Sequence, residues 1–204
     1  YAQTSDLVAG IKRIGDFKVS VSAYPEKHPE AASLDADIDA LKAKVDAGAD
    51  QAITQFFFEN EVYLRYRDRV RAAGIDIPII PGILPVQNFK QAANFARRTG
   101  ASVPYWLAAR FEGLDNDVET RRLVAAAVAA EQVLDLVDEG VNDFHFYSMN
   151  RSDLVYAICH LLGLRSQAPA KPAAKAAGTA DRRGPVRPAG RRRTTSSRVA
   201  ASMR

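Results

Sequence analysis

Two hydrophobic periods alternate along most of the chain. Ser5 to Ile14 carries apolar residues at helical spacing, and Lys18 to Ala23 then switches to strict alternation, the mark of a strand. That strand must stop near Tyr24, because Pro25 and Pro29 follow and prolines cannot continue a hydrogen-bonded ladder. Leu34, Ile38, Leu41 and Val45 make one apolar stripe, preceded by Ser33 as a helix cap and by Asp35, Asp37 and Asp39 near the positive helix end. Gly48 closes this helix. The cycle then repeats. The pattern predicts a strand over Gln51 to Phe57, a helix over Glu61 to Ala73 stopped by Gly74, and a strand over Ile77 to Pro81. It predicts helices over Asn88 to Arg98, Pro104 to Phe111 and Asn116 to Glu139, a strand over Asp143 to Tyr147, and a last helix over Ser152 to Leu162.

A β-α step made four times, with one helix in front, implies an α/β fold with a parallel sheet and right-handed crossovers. An open doubly wound sheet and part of a (β/α) barrel both fit. No G-x-G-x-x-G or P-loop spacing occurs, which weighs against a nucleotide-binding doubly wound fold.

Charge separates the chain into two parts, 1–165 and 166–204. The net charge of +4 and the pI of 9.3 describe neither. From Ser166 onward there are ten Lys/Arg and one Asp, so residues 1–165 hold 18 basic and 23 acidic side chains and are mildly acidic. The tail is rich in Ala, Pro and Arg and nearly free of bulky apolar residues. It is expected to be disordered, since it cannot bury enough surface to offset its ordering entropy. Its basic residues give nonspecific phosphate affinity, but it has no aromatic residue on which a base could stack, so specific nucleic-acid recognition is not expected. One cysteine, Cys159, excludes an internal disulfide framework, and no His/Cys/Asp/Glu group has metal-ligand spacing. No window is long and apolar enough to span a membrane and no signal segment opens the chain, so the expected location is the cytoplasm.

In a parallel barrel the chemistry sits at the C-terminal strand ends. Those ends offer Tyr24 and His28, then Gln55, then the Pro81–Pro85 loop, then Tyr147, Asn150 and Arg151. Such a set is rich in hydrogen-bond donors and poor in nucleophiles, which suits a flat heteroaromatic ligand better than covalent hydrolysis. Asp37 and Lys44 lie seven residues apart on one helix face. They could reach a ribose or phosphate, although the default reading is a solvated charged face. By the same default, His28 is an exposed loop residue, His145 a satisfied interior one, and Cys159 and His160 packing residues of the last helix.

Five segments carry a resemblance. They are Ala23-Tyr-Pro-Glu-Lys-His-Pro-Glu-Ala31, Lys44-Val-Asp-Ala-Gly-Ala49, Ala52-Ile-Thr-Gln-Phe-Phe-Phe58, Pro81-Gly-Ile-Leu-Pro85, and Asp143-Phe-His-Phe-Tyr147 with Asn150-Arg151. In this order they resemble the methylenetetrahydrofolate reductases, from about Tyr1 to Arg165. The resemblance implies a (β/α)8 TIM-barrel flavoprotein that uses NADH or NADPH to reduce FAD, and reduced FAD to convert 5,10-methylenetetrahydrofolate into 5-methyltetrahydrofolate. It implies FAD contacts at Tyr24, His28, Ala31, Asp37 and Lys44, and substrate contacts at Gln55, Gln91, Phe95, Tyr147 and Arg151, with Gln55 serving nicotinamide and folate in turn. It also implies a homo-oligomer at full length. The family's general acid, a glutamate, matches no residue here, nor do Asp6, Glu26 or Glu30 supply it. The chain is therefore expected to hold about four C-terminal β-α units and to leave sheet edges and an inner face uncovered. Two other outcomes stay open: a ligand-binding fragment without activity, and nonspecific nucleic-acid binding through the tail.

Overall fold

The computed structural model describes residues 1–164, so the expected disorder of the basic tail lies outside the described residues. Within them the chain runs α1 (Thr4–Ile14), β1 (Ser20–Ala23), α2 (Leu34–Asp46), β2 (Gln51–Phe56), α3 (Asn60–Ala72), β3 (Ile79–Ile83), α4 (Phe89–Thr99), α5 (Tyr105–Phe111), α6 (Val118–Asp138), β4 (His145–Phe146) and α7 (Ser152–Leu161). The four strands form one parallel sheet in the order β1-β2-β3-β4. Each new strand is added on the same side as the one before. A doubly wound sheet reverses direction at a switch point; this one does not, and its winding is that of a barrel wall. The architecture is an incomplete (β/α)8 barrel with four β-α units.

Local chemistry explains the element ends. Ser33 Oγ accepts the Ala36 N–H at 3.1 Å and opens α2, Asn88 Oδ1 accepts the Gln91 N–H at 3.0 Å and opens α4, and Asp117 accepts the Thr120 N–H at 3.0 Å and opens α6. The front helix is tied to the sheet by one ion pair: Lys12 Nζ lies 2.7 Å from Asp50 Oδ2, which also accepts the Val19 N–H at 2.6 Å. The hydrogen bond from Lys12, with the one from Val19, holds the Asp50 carboxyl below the usual carboxylate range.

The third strand differs from its predicted span, lying two residues later. Pro78 contributes its carbonyl to the Ala52 N–H, so pairing starts only there. Pro81 has no N–H, but the sheet tolerates it inside the strand because the β2–β3 register shifts between Ile53 and Phe56, where a bulge accommodates a residue that cannot donate. β4 is shorter than predicted: His145 and Phe146 pair with Gly82 and Ile83, and just past the strand the Tyr147 N–H donates to Ile83 O at 2.9 Å.

Helices cover one face of the sheet. Val21 and Ala23 of β1 pack with Ile38 and Leu41 of α2 and with Tyr66 and Val70 of α3. A second cluster joins Phe56, Phe57 and Phe58 to Ile83, Leu107, Leu136 and Ile158. Ile79 touches both clusters. Its carbonyl accepts the Tyr63 O–H at 2.7 Å, and burial pushes that phenol up to about 12. The opposite face of β1 carries Ser20 and Ser22, both exposed.

Candidate functional site

The C-terminal strand ends lie together, and α4 is laid across them. It starts just after β3 and ends at Gly100; two residues on, Ser102 donates its N–H to both oxygens of Glu26, in the loop after β1, at 3.0 Å. Gly100 has φ +78°, and a side chain there would press on the Lys27 carbonyl at 3.1 Å. The helix thus runs from the end of β3 to the end of β1, over the tip of β2. Phe95 on its underside stacks on Phe56 of β2, with ring centroids 5.2 Å apart.

At the end of β1, Tyr24 meets His28 edge-on at 4.6 Å. The His28 N–H donates to Asp37 Oδ2 at 2.8 Å, and Lys27, at φ +81°, donates through Nζ to the carbonyl of Ala31 at 2.6 Å. Asp37 and Lys44 are 8% and 9% exposed, which overturns the default reading of a solvated charged face. The reason is local: Asp37 closes the loop after β1, and Lys44 Nζ donates to Ser22 O of β1 at 2.9 Å. Burial pulls the Lys44 ammonium below its usual range, and the Asp37 carboxylate draws it back up.

The other end of the mouth is open. A cleft of about 430 Å³ is lined by Gln91 and Phe95 of α4, Arg121 and Arg122 of α6, and Met149 and Arg151 of the loop after β4, without a carboxylate in its wall. Met149 and Asn150 have φ of 49° and 61°, and the Arg151 N–H donates to Ser148 O at 2.9 Å, so a tight left-handed turn presents this loop to the cleft. Arg121 is clamped by the carbonyls of Leu114 and Asp115, at 3.1 and 2.7 Å, and Arg122 pairs with Asp153.

Between these ends stand Gln55 and Tyr147. Gln55 shares a narrow cleft with Tyr24, Lys27 and Thr99. Tyr147 lies 6.2 Å from Phe56 and 4.8 Å from His145. Burial raises its phenol above the ordinary value, and Tyr24 adds to the rise. Of the ten residues singled out from sequence, Tyr24, His28, Ala31 and Asp37 form one cluster, Gln91, Phe95 and Arg151 share one cleft, and Gln55 and Tyr147 bridge the two. Lys44 sits two helical turns from Asp37, against β1. Sequence reasoning passed over Thr54 and Gly82 under the mouth, and Arg121, Arg122 and Met149 at its wall. The Pro81-Gly82 pair inside a strand was the one available signal for the first two.

Comparison with known proteins settles the kinship. The profile of the family described as methylenetetrahydrofolate reductase matches residues 1–163. The chain belongs to the methylenetetrahydrofolate reductase family. The 5,10-methylenetetrahydrofolate reductases of Salmonella typhimurium (strain LT2) and Escherichia coli (strain K12) are each 60% identical to it over 161 residues, covering 79% of this chain and 54% of the relative. Methylenetetrahydrofolate reductase 2 of Saccharomyces cerevisiae is 36% identical over 155 residues, covering 74% of this chain and 26% of the yeast protein. The chain thus spans about half the length of the bacterial reductases it matches. A solved Clostridium thermocellum protein, described as binding two copies of 5-methyl-5,6,7,8-tetrahydrofolic acid, superposes with a TM-score of 0.50 at 16% identity, covering 76% of this chain and 56% of that one. At that identity the likeness speaks to the fold. Among the described residues of this reductase-family chain, no helix is long and apolar enough to cross a membrane.

Proposed function

We propose that this chain forms the C-terminal half of the barrel of an FAD-dependent reductase, which converts 5,10-methylenetetrahydrofolate to 5-methyltetrahydrofolate at the expense of NADH or NADPH. The observation that supports the reading is that Tyr24 and Gln55 line one cleft at the strand ends and Phe95 and Arg151 another, with Phe95 and Tyr147 both packed on Phe56 of β2, in a chain 60% identical to bacterial reductases. The folate-binding Clostridium thermocellum neighbour agrees with a folate ligand.

The residues at the end of β1 fit FAD by the chemistry of their free valences. Lys44 uses one of three N–H bonds on Ser22, and Asp37 uses Oδ2 on His28, leaving an ammonium for a pyrophosphate and Oδ1 for a ribose hydroxyl. Bound there, FAD would supply the hydride-carrying ring. The chain's own part is orientation. Gln55 and Tyr147 contact the reacting heterocycle, Phe95 packs on a ligand ring, and Gln91 with Arg151 holds the substrate's anionic end. The cleft wall has no carboxylate, and Glu26 is engaged by Ser102, so these residues offer no general acid. That favours a second reading, a fragment that binds ligand without turnover.

The test is to titrate FAD into the 204-residue chain, alone and with a separately expressed segment supplying four further β-α units, and to follow flavin absorbance and NAD(P)H oxidation. A shifted flavin spectrum, with turnover only in the mixture, is expected. No spectral change in either case refutes the assignment.

A further inference from the structure

The sheet departs from regular pairing directly beneath the mouth. Thr54, at the β2–β3 register shift, is fully buried, and its Oγ1 accepts the Gly82 N–H at 2.9 Å. A side chain therefore takes a donor that a regular ladder would give to backbone. The Thr54 carbonyl in turn accepts the Tyr147 O–H at 3.0 Å. Tyr147 follows β4, which is not a neighbour of β2, so its ring must cross β3. It does so at the residue without a side chain. A Cβ on Gly82 would lie 2.3 Å from the Thr54 oxygen and 2.6 Å from Tyr147 Cε2. Just past the shift, the Phe56 N–H donates to Gln55 Oε1 at 3.0 Å.

These bonds fix which half of each group remains for a ligand. A phenol has one proton, and that of Tyr147 is directed inward to Thr54, so its oxygen faces the mouth as an acceptor. A backbone N–H can only donate, so the Gln55 atom facing Phe56 is its oxygen, and Nε2 is left as a donor. We propose that the bulge at Thr54 is a positioning element that makes Tyr147 the acceptor of the mouth, while the Phe56 N–H leaves Gln55 as its donor. The matching ligand is a flat heterocycle with an N–H at one edge and a carbonyl or ring nitrogen at the other. That such a ring enters this mouth rests on the function proposed above; the polarity itself does not.

The experiment has two arms, both on the 204-residue chain. The first needs no ligand: exchange of the Tyr147 hydroxyl proton with solvent, followed by NMR and assigned by its loss in Tyr147→Phe. Protection at least about tenfold over free tyrosine is expected, kept in Thr54→Ser and lost in Thr54→Val, which is isosteric but cannot hold Gly82. Exchange as fast as in free tyrosine in the wild-type chain overturns the proposal without any variant, as does equal protection in Thr54→Val. The second arm titrates 5-methyltetrahydrofolate by calorimetry. Tyr147→Phe and Thr54→Val should each weaken binding about tenfold, and the double variant no further, because Thr54 acts through Tyr147. Independent losses, about a hundredfold together, overturn the role of Thr54. If the wild-type chain does not take up the probe, the proposed function fails there, and the first arm still decides the polarity.

Discussion

The two ends of the mouth are built on different principles. Around β1 the charged groups are bound to the chain's own backbone: Glu26 to Ser102, Lys27 to Ala31, Asp37 to His28 and Lys44 to Ser22. Around β3 and β4 a cleft of about 430 Å³ stays open, with Gln91, Phe95 and Arg151 in its wall. A surface already ordered by internal bonds loses little freedom when a ligand binds, which suits a cofactor that stays. An open cleft roofed by one helix suits a substrate that must enter and leave. The boundary between the two regimes is the bulge at Thr54, where β3 lets the Tyr147 ring across.

The sharpest way to break this contrast is to fill the gap at the boundary. Gly82→Ala puts a methyl group onto the Thr54 carbonyl and the Tyr147 ring at once. The backbone oxygen cannot step aside, so a destabilisation of about 3 kcal/mol, the upper end for an overpacked interior, is expected in urea melts. A loss below about 0.5 kcal/mol would mean that the crossing is loose and that the ends are not divided there.

Lys44→Ala probes the closed end alone. Removing a charge-assisted contact should weaken FAD binding by about 2 kcal/mol, read from flavin fluorescence, while leaving 5-methyltetrahydrofolate affinity within twofold or so. Equal loss for both ligands would show that the two ends are one surface. Tyr63→Phe serves as the control away from both. It deletes the bond to Ile79 under the sheet and should cost about 1 kcal/mol of stability with no change in either affinity.

The closed and open ends were not equally legible in the sequence. Strand and helix order could be read because each apolar stripe answers to one partner surface, as Leu34, Ile38 and Leu41 do under β1. Periodicity alone left the doubly wound sheet open, because strand order is set by long-range pairing that no local period records; the five family-like segments pointed to the barrel, and the strand order β1-β2-β3-β4 bears that out. Asp37 and Lys44 misled for a similar reason. Charge predicts exposure on average, and only tertiary context shows that a loop N–H and a strand carbonyl lie waiting for them. The third strand was displaced because Pro81 reads as a strand end, whereas a buried threonine on the neighbouring strand lets the pairing continue through it. The turn at Met149 and Asn150 left no signal beyond one asparagine, since methionine does not favour positive φ.

The smallest expected effect tests whether the boundary is dry. His145 stands beside the Tyr147 ring at 4.8 Å, and burial lowers its pKa from the ordinary 6.5. The folded chain therefore prefers the neutral imidazole, while the unfolded chain takes up its proton near 6.5. Above that pH the residue contributes no pH dependence. As the pH falls from 6.5 towards the lowered native value, the unfolded state binds more protons than the native one, and stability declines; below it the loss is complete and the slope vanishes. Asp50 and Asp117, whose carboxyls are held low by their hydrogen bonds, lose their contributions only in more acidic solution, so the windows separate. Urea midpoints taken between about pH 7.5 and pH 5 should fall in the wild-type chain, and less so in His145→Gln. An unchanged slope in the variant would mean that water reaches His145 and the ring beside it, and the closed end would then begin on the far side of Tyr147.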